Sequence, residues 1–443
     1  MNWLLIALLA LLTCLSCSAS PALLSRDDIV LRDMKITVPS ANQTVAIDPL
    51  PVLHYELDGE LALGEPGWRG DLLLPKTAWV YRALRPGSLV VTVAGKPEIR
   101  LAEGTDYLID TDWGSLNAAP GSAIPPGTKL HFAYDYTRSR IDLVERTAGG
   151  ALVVKKGVED MDEPLLPERT PGNTPVFSVY LPHNTRKLTS DHINFVDGGH
   201  DAAPPVNGVE HIARARARLA AGEPVTIVFF GDSITDQGPE DFRDGEGSYV
   251  DRFVMYLRRR FPRREVVVTP KETVVSPKTG RIVVVKAGVG GNDTRDGLVR
   301  IESDVLAHKP DLVVVMFGVN DENRKSEGSE RLDENNVPPG EYERNLAAMV
   351  TQIRDVGGET ILMTTSMKNA GWIGTIGNLD QYAAAARKVA RDEKACLVDN
   401  FQAWQDLPKR GYNYMVFLGS CINHPVDLGH QLFFEGLSAA FEQ

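Results

Sequence analysis

From about Val209 to the C-terminus, short apolar runs alternate with stretches of helical period. The runs are Val225 to Phe230, Ile282 to Val285, Leu312 to Phe317, Thr360 to Thr365 and Ala395 to Val398. Between and after them lie helical stretches at about 249–260, 294–308, 342–356, 379–393 and 427–441. Runs that are apolar at successive positions belong to strands buried on both faces, so helices must cover both sides of the sheet. Strict alternation of strand and helix makes that sheet mostly parallel. Sites in open sheets of this kind form beyond the carboxyl ends of the strands. The residues just past each apolar run therefore bear most directly on function.

After the first run comes Gly231-Asp232-Ser233, and after the second Gly288-Val289-Gly290-Gly291-Asn292. The third leads into Gly318-Val319-Asn320-Asp321, and His424-Pro425-Val426-Asp427-Leu428-Gly429-His430 lies near the C-terminus. Alone, each has an ordinary reading: Ser233 as a helix cap, the glycines as a tight turn, Asn320 as a turn-stabilising side chain. Together they hold what acyl transfer needs, a hydroxyl, a base and donors for a developing oxyanion.

These four blocks, in this order, resemble the SGNH family of GDSL-type serine hydrolases over roughly Gly222 to Gln443. The resemblance implies an α/β fold, a three-layer flavodoxin-like domain with a mostly parallel sheet. It implies Ser233 as nucleophile and His424 as base, with the Ser233 N–H, the Gly291 N–H and the Asn320 amide as the oxyanion hole. Asp232 and Asp321 take supporting roles, and no metal or cofactor is implied. The family pattern places Asp three residues before the histidine, and here that position is Cys421. The orienting role then falls to a backbone carbonyl, giving a Ser–His dyad, or to another acid such as Asp399. Asp427 and His430 show the same Asp-x-x-His spacing, but the following proline and glycine align His424 with the reactive position.

Upstream the pattern changes. Met1 to Ala19 carries no charged side chain, and its apolar core is too short for a membrane span of about 20 residues. It reads as a signal peptide, with Cys17 leaving a lipoprotein signal as an alternative, so the chain is expected to be exported, periplasmic or extracellular. Residues 27–156 hold short β-branched and aromatic runs, among them Ala78 to Leu84, between turn residues, and suggest a β-sandwich-like accessory domain. Residues 157–205, rich in Pro, Asp and Asn, read as a linker to a hydrolase domain at 206–443, and Glu265 to Arg281 reads as an extra hairpin. Cys396 and Cys421 either pair or remain free thiols.

The formal net charge of -12 argues against nucleic acid or anionic membrane as the main partner. The expected partner is an ester substrate, with no nucleic acid and no transmembrane anchor beyond the alternative lipoprotein signal. A carbohydrate O-acetyl ester is favoured by export, by a separate β-domain and by the polar loop at 322–339. Aromatic residues near the expected mouth, Trp372, Trp404, Tyr412, Tyr414 and Phe417, point the same way, although each could equally be core. Trp68, Trp79, Trp113 and Tyr107 carry the same two readings. A lipid or thioester hydrolase, and a catalytically impaired carbohydrate-binding protein, are the alternatives.

Overall fold

The computed structural model describes residues 24–63, 72–125, 127–197, 203–327, 330–419 and 421–442. The segment read as a signal peptide, with Cys14 and Cys17, lies outside the described residues, and so does Trp68. Among the described residues, no helix is long and apolar enough to cross a membrane.

Seven strands form the C-terminal sheet, in the order Val206–Asn207, Cys396–Val398, Glu359–Met363, Leu312–Met316, Val225–Gly231, Arg281–Gly288, Glu265–Pro270. All neighbours pair in parallel except the first two, which are antiparallel. Successive side chains of each strand enter opposite layers, as strand geometry requires. Ile227 and Phe229 pack with Phe253 and Leu257 of helix Tyr249–Arg260 and with Phe433 of helix Asp427–Glu442. Val228 and Phe230 pack on the other face with Ile301, Met349 and Val389, from helices Thr294–Asp304, Pro339–Asp355 and Leu379–Asp392.

Strand Val225–Gly231 sits at the topological switch. Its neighbours are Arg281–Gly288 on one side and Leu312–Met316 on the other, and Gly231 pairs with Gly288 and with Met316. Three strands thus end level at one point, and three loops leave it together. Glu265 to Arg281 is not a hairpin. Glu265–Pro270 pairs in parallel with Arg281–Gly288, Glu265 opposite Arg281, and forms the sheet edge.

The β-rich N-terminal region has two cores rather than one sandwich. Sheet Val30–Arg32, Lys35–Val38, Gln43–Ala46 shares a core with sheet Leu152–Lys155, Arg140–Arg146, Thr174–Leu181, Ile193–Phe195. A second core joins the strands Leu53–Ala62, Lys129–Tyr136, Val90–Val93 and Lys96–Arg100 to the small sheet around Ser115–Ala118. Residues 157–205 are accordingly not a linker, because strand Thr174–Leu181 is central in its sheet. Within residues 78–84, positions 78–82 form turns, with Trp79 and Arg82 at positive φ, a conformation an extended strand excludes, and Leu84 makes an isolated bridge to Tyr136.

Candidate active site

Asp232 caps the short helix Ser233–Asp236, its Oδ1 accepting the Ile234 N–H at 2.9 Å. Ser233 is the first residue of that helix, where an N–H has no intrahelical acceptor. The turn is tight because two facing positions lack a side chain. A Cβ on Gly231 would lie 2.2 Å from Thr235 Oγ1, and one on Gly288 would lie 2.5 Å from the Asp236 nitrogen. The helix folds back over both strand ends into the space these glycines leave.

Across the cleft, the Ser233 hydroxyl and His424 Nε2 are 2.8 Å apart. A Ser233 O–H donating to Nε2 requires the neutral ring to carry its own proton on Nδ1. Burial pushes the His424 imidazole below its ordinary value, opposed by the charge of Asp241. No acid among the described residues is hydrogen-bonded to the ring. Cys421, in the place an acid would occupy, is a free thiol, as is Cys396, so the two do not pair. Burial raises the Cys421 thiol, and the backbone N–H groups of Ile422, Asn423 and His424 point at its sulfur. Asp399 is engaged elsewhere: it binds the Arg387 guanidinium at 2.6 Å and accepts from Thr364 Oγ1 at 3.1 Å. It is not the missing acid.

His430 is fully buried and turned away from Ser233. Its Nδ1 accepts the Tyr249 N–H at 3.0 Å, and its Nε2 pairs with Gln237 Oε1 at 3.0 Å. Of the two candidate histidines, the structure brings His424 to Ser233.

The glycine loop runs beside the serine, for a Cβ on Gly290 would lie 3.9 Å from Ser233 Cβ. Gly291 comes next with φ +79°, in the left-handed region. Asn320 closes the other side, its Nδ2 donating to the Asn292 carbonyl at 2.9 Å. An amide nitrogen has two protons, so one fixes the side chain and one remains for a substrate oxygen. Behind it Asp321 is fully buried and accepts from the Thr294 N–H at 3.1 Å and from the Thr294 hydroxyl. Asp232 and Asp321 each keep one oxygen, Oδ2, without a hydrogen-bond partner among the described residues. Burial pushes both carboxyls up to about 7.

Two groups escaped the sequence reading. Arg300 donates to Gly231 O at 2.7 Å, Ala287 O at 2.8 Å and Asn292 Oδ1 at 2.7 Å, and lies 4.4 Å from the centre of the Phe230 ring. It ties two strand ends to the glycine loop. Its adjacency to buried Ile301, on the sheet-facing side of the helix, was the available clue. Lys368 and Glu322 form a buried ion pair just past Asp321, and Lys368 also donates to Val319 O at 3.1 Å and Asn323 Oδ1 at 2.6 Å. The pair stiffens the end of the Asn320 loop. Among the aromatic candidates, Trp404, Phe417, Trp113 and Tyr107 are core, while Trp372 is half-buried with Arg331 and Lys368 against its ring. Among the described residues, no group of three or more His, Cys, Asp or Glu is placed to hold a metal ion.

The structure thus brings the Ser233 hydroxyl into contact with the His424 imidazole, with the glycine loop running beside the serine. The GDSL-like Lipase/Acylhydrolase family matches residues 229–432, which span this site. An acetylxylan esterase of Geobacillus stearothermophilus is 31% identical over 219 residues, 48% of this chain and 92% of that protein. An uncharacterized lipoprotein, YqeF, of Bacillus subtilis (strain 168) is 30% identical over 138 residues, 31% of this chain and 47% of that protein. Among solved structures, Axe2, an acetylxylan esterase from G. stearothermophilus, aligns over 50% of this chain and 96% of its own, at 25% identity and a TM-score of 0.39.

Proposed function

The chain belongs to the GDSL-like lipase/acylhydrolase family, and on that footing we propose that it removes O-acyl groups, O-acetyl above all, from carbohydrates by Ser–His catalysis. The observation that carries the mechanism is the 2.8 Å contact between Ser233 Oγ and His424 Nε2. His424 takes the hydroxyl proton as Ser233 Oγ attacks the ester carbonyl carbon. The carbonyl oxygen becomes an oxyanion held by the N–H groups of Ser233 and Gly291 and by Asn320 Nδ2. Collapse breaks the ester C–O bond, and the imidazolium protonates the departing sugar oxygen. Water, activated by the same imidazole, then releases the acid and regenerates Ser233. A dyad suffices because the third residue of a triad orients the base without reacting.

Carbohydrate as the acyl carrier is supported by the acetylxylan esterase relative and by the mouth of the site. There the charged hairpin Arg324–Glu327 and Glu330–Asn335 and the half-buried Trp372 suit a hydrated substrate better than a fatty chain. Export is part of the same proposal, supported by the leader-like first 19 residues and by a relative named as a lipoprotein. The test is hydrolysis of a panel of O-acetylated oligosaccharides, with Ser233→Ala as the blank, beside nitrophenyl esters of rising chain length. Acetate release from glycans and a preference for acetyl over octanoyl are expected. Preference for long chains would replace this reading with a lipid hydrolase. Acetate release at an undiminished rate by the Ser233→Ala variant would remove the serine mechanism.

A further inference from the structure

A histidine that serves as base without a carboxylate partner must be held in place by something else. The His424 loop lies between Leu418 and helix Asp427–Glu442, and the loop after Ser233 runs through Arg243 towards helix Tyr249–Arg260. One turn of the N-terminal unit, Asp160 to Glu163, grips both.

Arg243 reaches that turn with each of its terminal nitrogens. Nη1 donates to Asp160 Oδ1 at 2.9 Å and Nη2 to Asp162 Oδ2 at 2.6 Å. The Arg243 N–H in turn donates to Asp427 Oδ2 at 3.3 Å, linking the serine loop to the start of the helix beyond His424. Glu163 completes the grip from the N-terminal unit. Its Oε1 accepts the Leu428 N–H at 2.8 Å, in the first turn of that helix, four residues past His424. Glu163 is almost wholly buried and lies beside Asp427. Burial, with the charge of Asp427 nearby, pushes the Glu163 carboxyl up to about 7.

The turn itself is not free to yield. Asp160 Oδ1 accepts the N–H groups of Asp162 and Glu163, both at 2.9 Å, closing the turn on itself. The Asp160 backbone exchanges hydrogen bonds of 2.9 and 2.8 Å with Ser139, directly before strand Arg140–Arg146. Ser139 is fully buried, and its hydroxyl donates to the same Asp160 carbonyl at 2.9 Å. The grip is thus continuous with a sheet of the N-terminal unit.

We propose that the Asp160–Glu163 turn is the positioning element of the Ser–His dyad, holding the Ser233 and His424 loops in register and taking over the orienting task of the acid absent at position 421. The N-terminal unit is then part of the esterase machinery, with Arg243 and Glu163 as positioning residues. The proposal rests on the Ser233–His424 mechanism proposed for the site.

The test is steady-state kinetics of the full chain on nitrophenyl acetate, with kcat expressed per serine titrated by a fluorophosphonate so that misfolded protein is not counted. Glu163→Ala removes the acceptor for Leu428, and Arg243→Ala removes the bridge to Asp160 and Asp162. Each is expected to lower kcat at least tenfold with KM within twofold of wild type, because the base is misaligned while substrate contacts remain. Glu163→Gln keeps an oxygen for the Leu428 N–H, so it is expected to restore kcat to within threefold. Should Glu163→Ala yield no folded protein, Arg243→Ala against Arg243→Lys makes the same comparison. Alanine variants with wild-type kcat, or a loss in Glu163→Gln equal to that in Glu163→Ala, would overturn the proposal. Ser233→Ala in the same assay separates the two claims: activity surviving there removes the serine mechanism, whatever the clamp variants do.

Discussion

Among the described residues no acid is hydrogen-bonded to the His424 ring, which is half-buried, and both facts bear on its proton. Burial disfavours the imidazolium, so its folded value lies below the ordinary 6.5. A general base works in its neutral form, so activity should persist on the acid side of 6.5, and the acid limb of kcat/KM against pH should fall below that value. Cys421→Asp places a carboxylate where the family pattern has one. It should stabilise the imidazolium and move the limb upward by roughly one unit. A limb above 6.5 in wild type, or one unmoved in Cys421→Asp, would contradict this role for the histidine. Asn320→Ala removes one oxyanion donor and should cost about 10²–10³ in kcat, with little change in KM. The sequence displayed Ser233, Gly291, Asn320 and His424 because each sits where an apolar run ends or a proline comes next. It hid Arg300 and the Glu322–Lys368 pair because charged residues in helices and loops are normally solvated, and only the folded neighbours reveal that these are not.

Strand ends are where the elements meet, and Arg300 joins two of them. Besides Asp304 on its own helix, it donates to Gly231 O, Ala287 O and Asn292 Oδ1, which belong to two parallel strands and the glycine loop. Arg300→Met keeps bulk but leaves buried carbonyls without this donor. It should destabilise the fold by about 2–4 kcal/mol, measured by urea unfolding, and lower kcat as the Gly291 loop loosens. Stability and kcat both at the wild-type level would contradict that role. The central C-terminal strands were legible because they carry unbroken apolar runs such as Ile227 to Phe230, Ile282 to Val285 and Leu312 to Met316, and the helices because their period is regular. The N-terminal strands were less so. Thr174–Leu181 is a buried run crowded by Pro167, Pro171 and Pro182, so its surroundings read as a connection. Glu265–Pro270 misled for another reason. Its link to Arg281 is only ten residues long, and parallel neighbours normally need a longer crossover.

On the scale of the whole molecule, the two halves share a core. Ile141 and Tyr180 of the N-terminal unit belong to the same buried cluster as Trp404, Leu407 and Phe417 beside the C-terminal sheet. The Ser178 hydroxyl donates to Gly411 O at 2.5 Å, and the Asp197 N–H donates to Lys409 O at 2.9 Å. Units joined this way should unfold together. Calorimetry is expected to show one endotherm for the full chain, and two separated transitions would contradict a shared core. The central claim, that Ser233 and His424 act as a pair, is tested most directly by locating a fluorophosphonate adduct by mass spectrometry and timing its formation. The label is expected on Ser233, to form at least a hundredfold more slowly in His424→Ala, and to form at near wild-type rate in folded His430→Gln. A label on another residue, or one whose rate ignores His424 and collapses with His430, would contradict it.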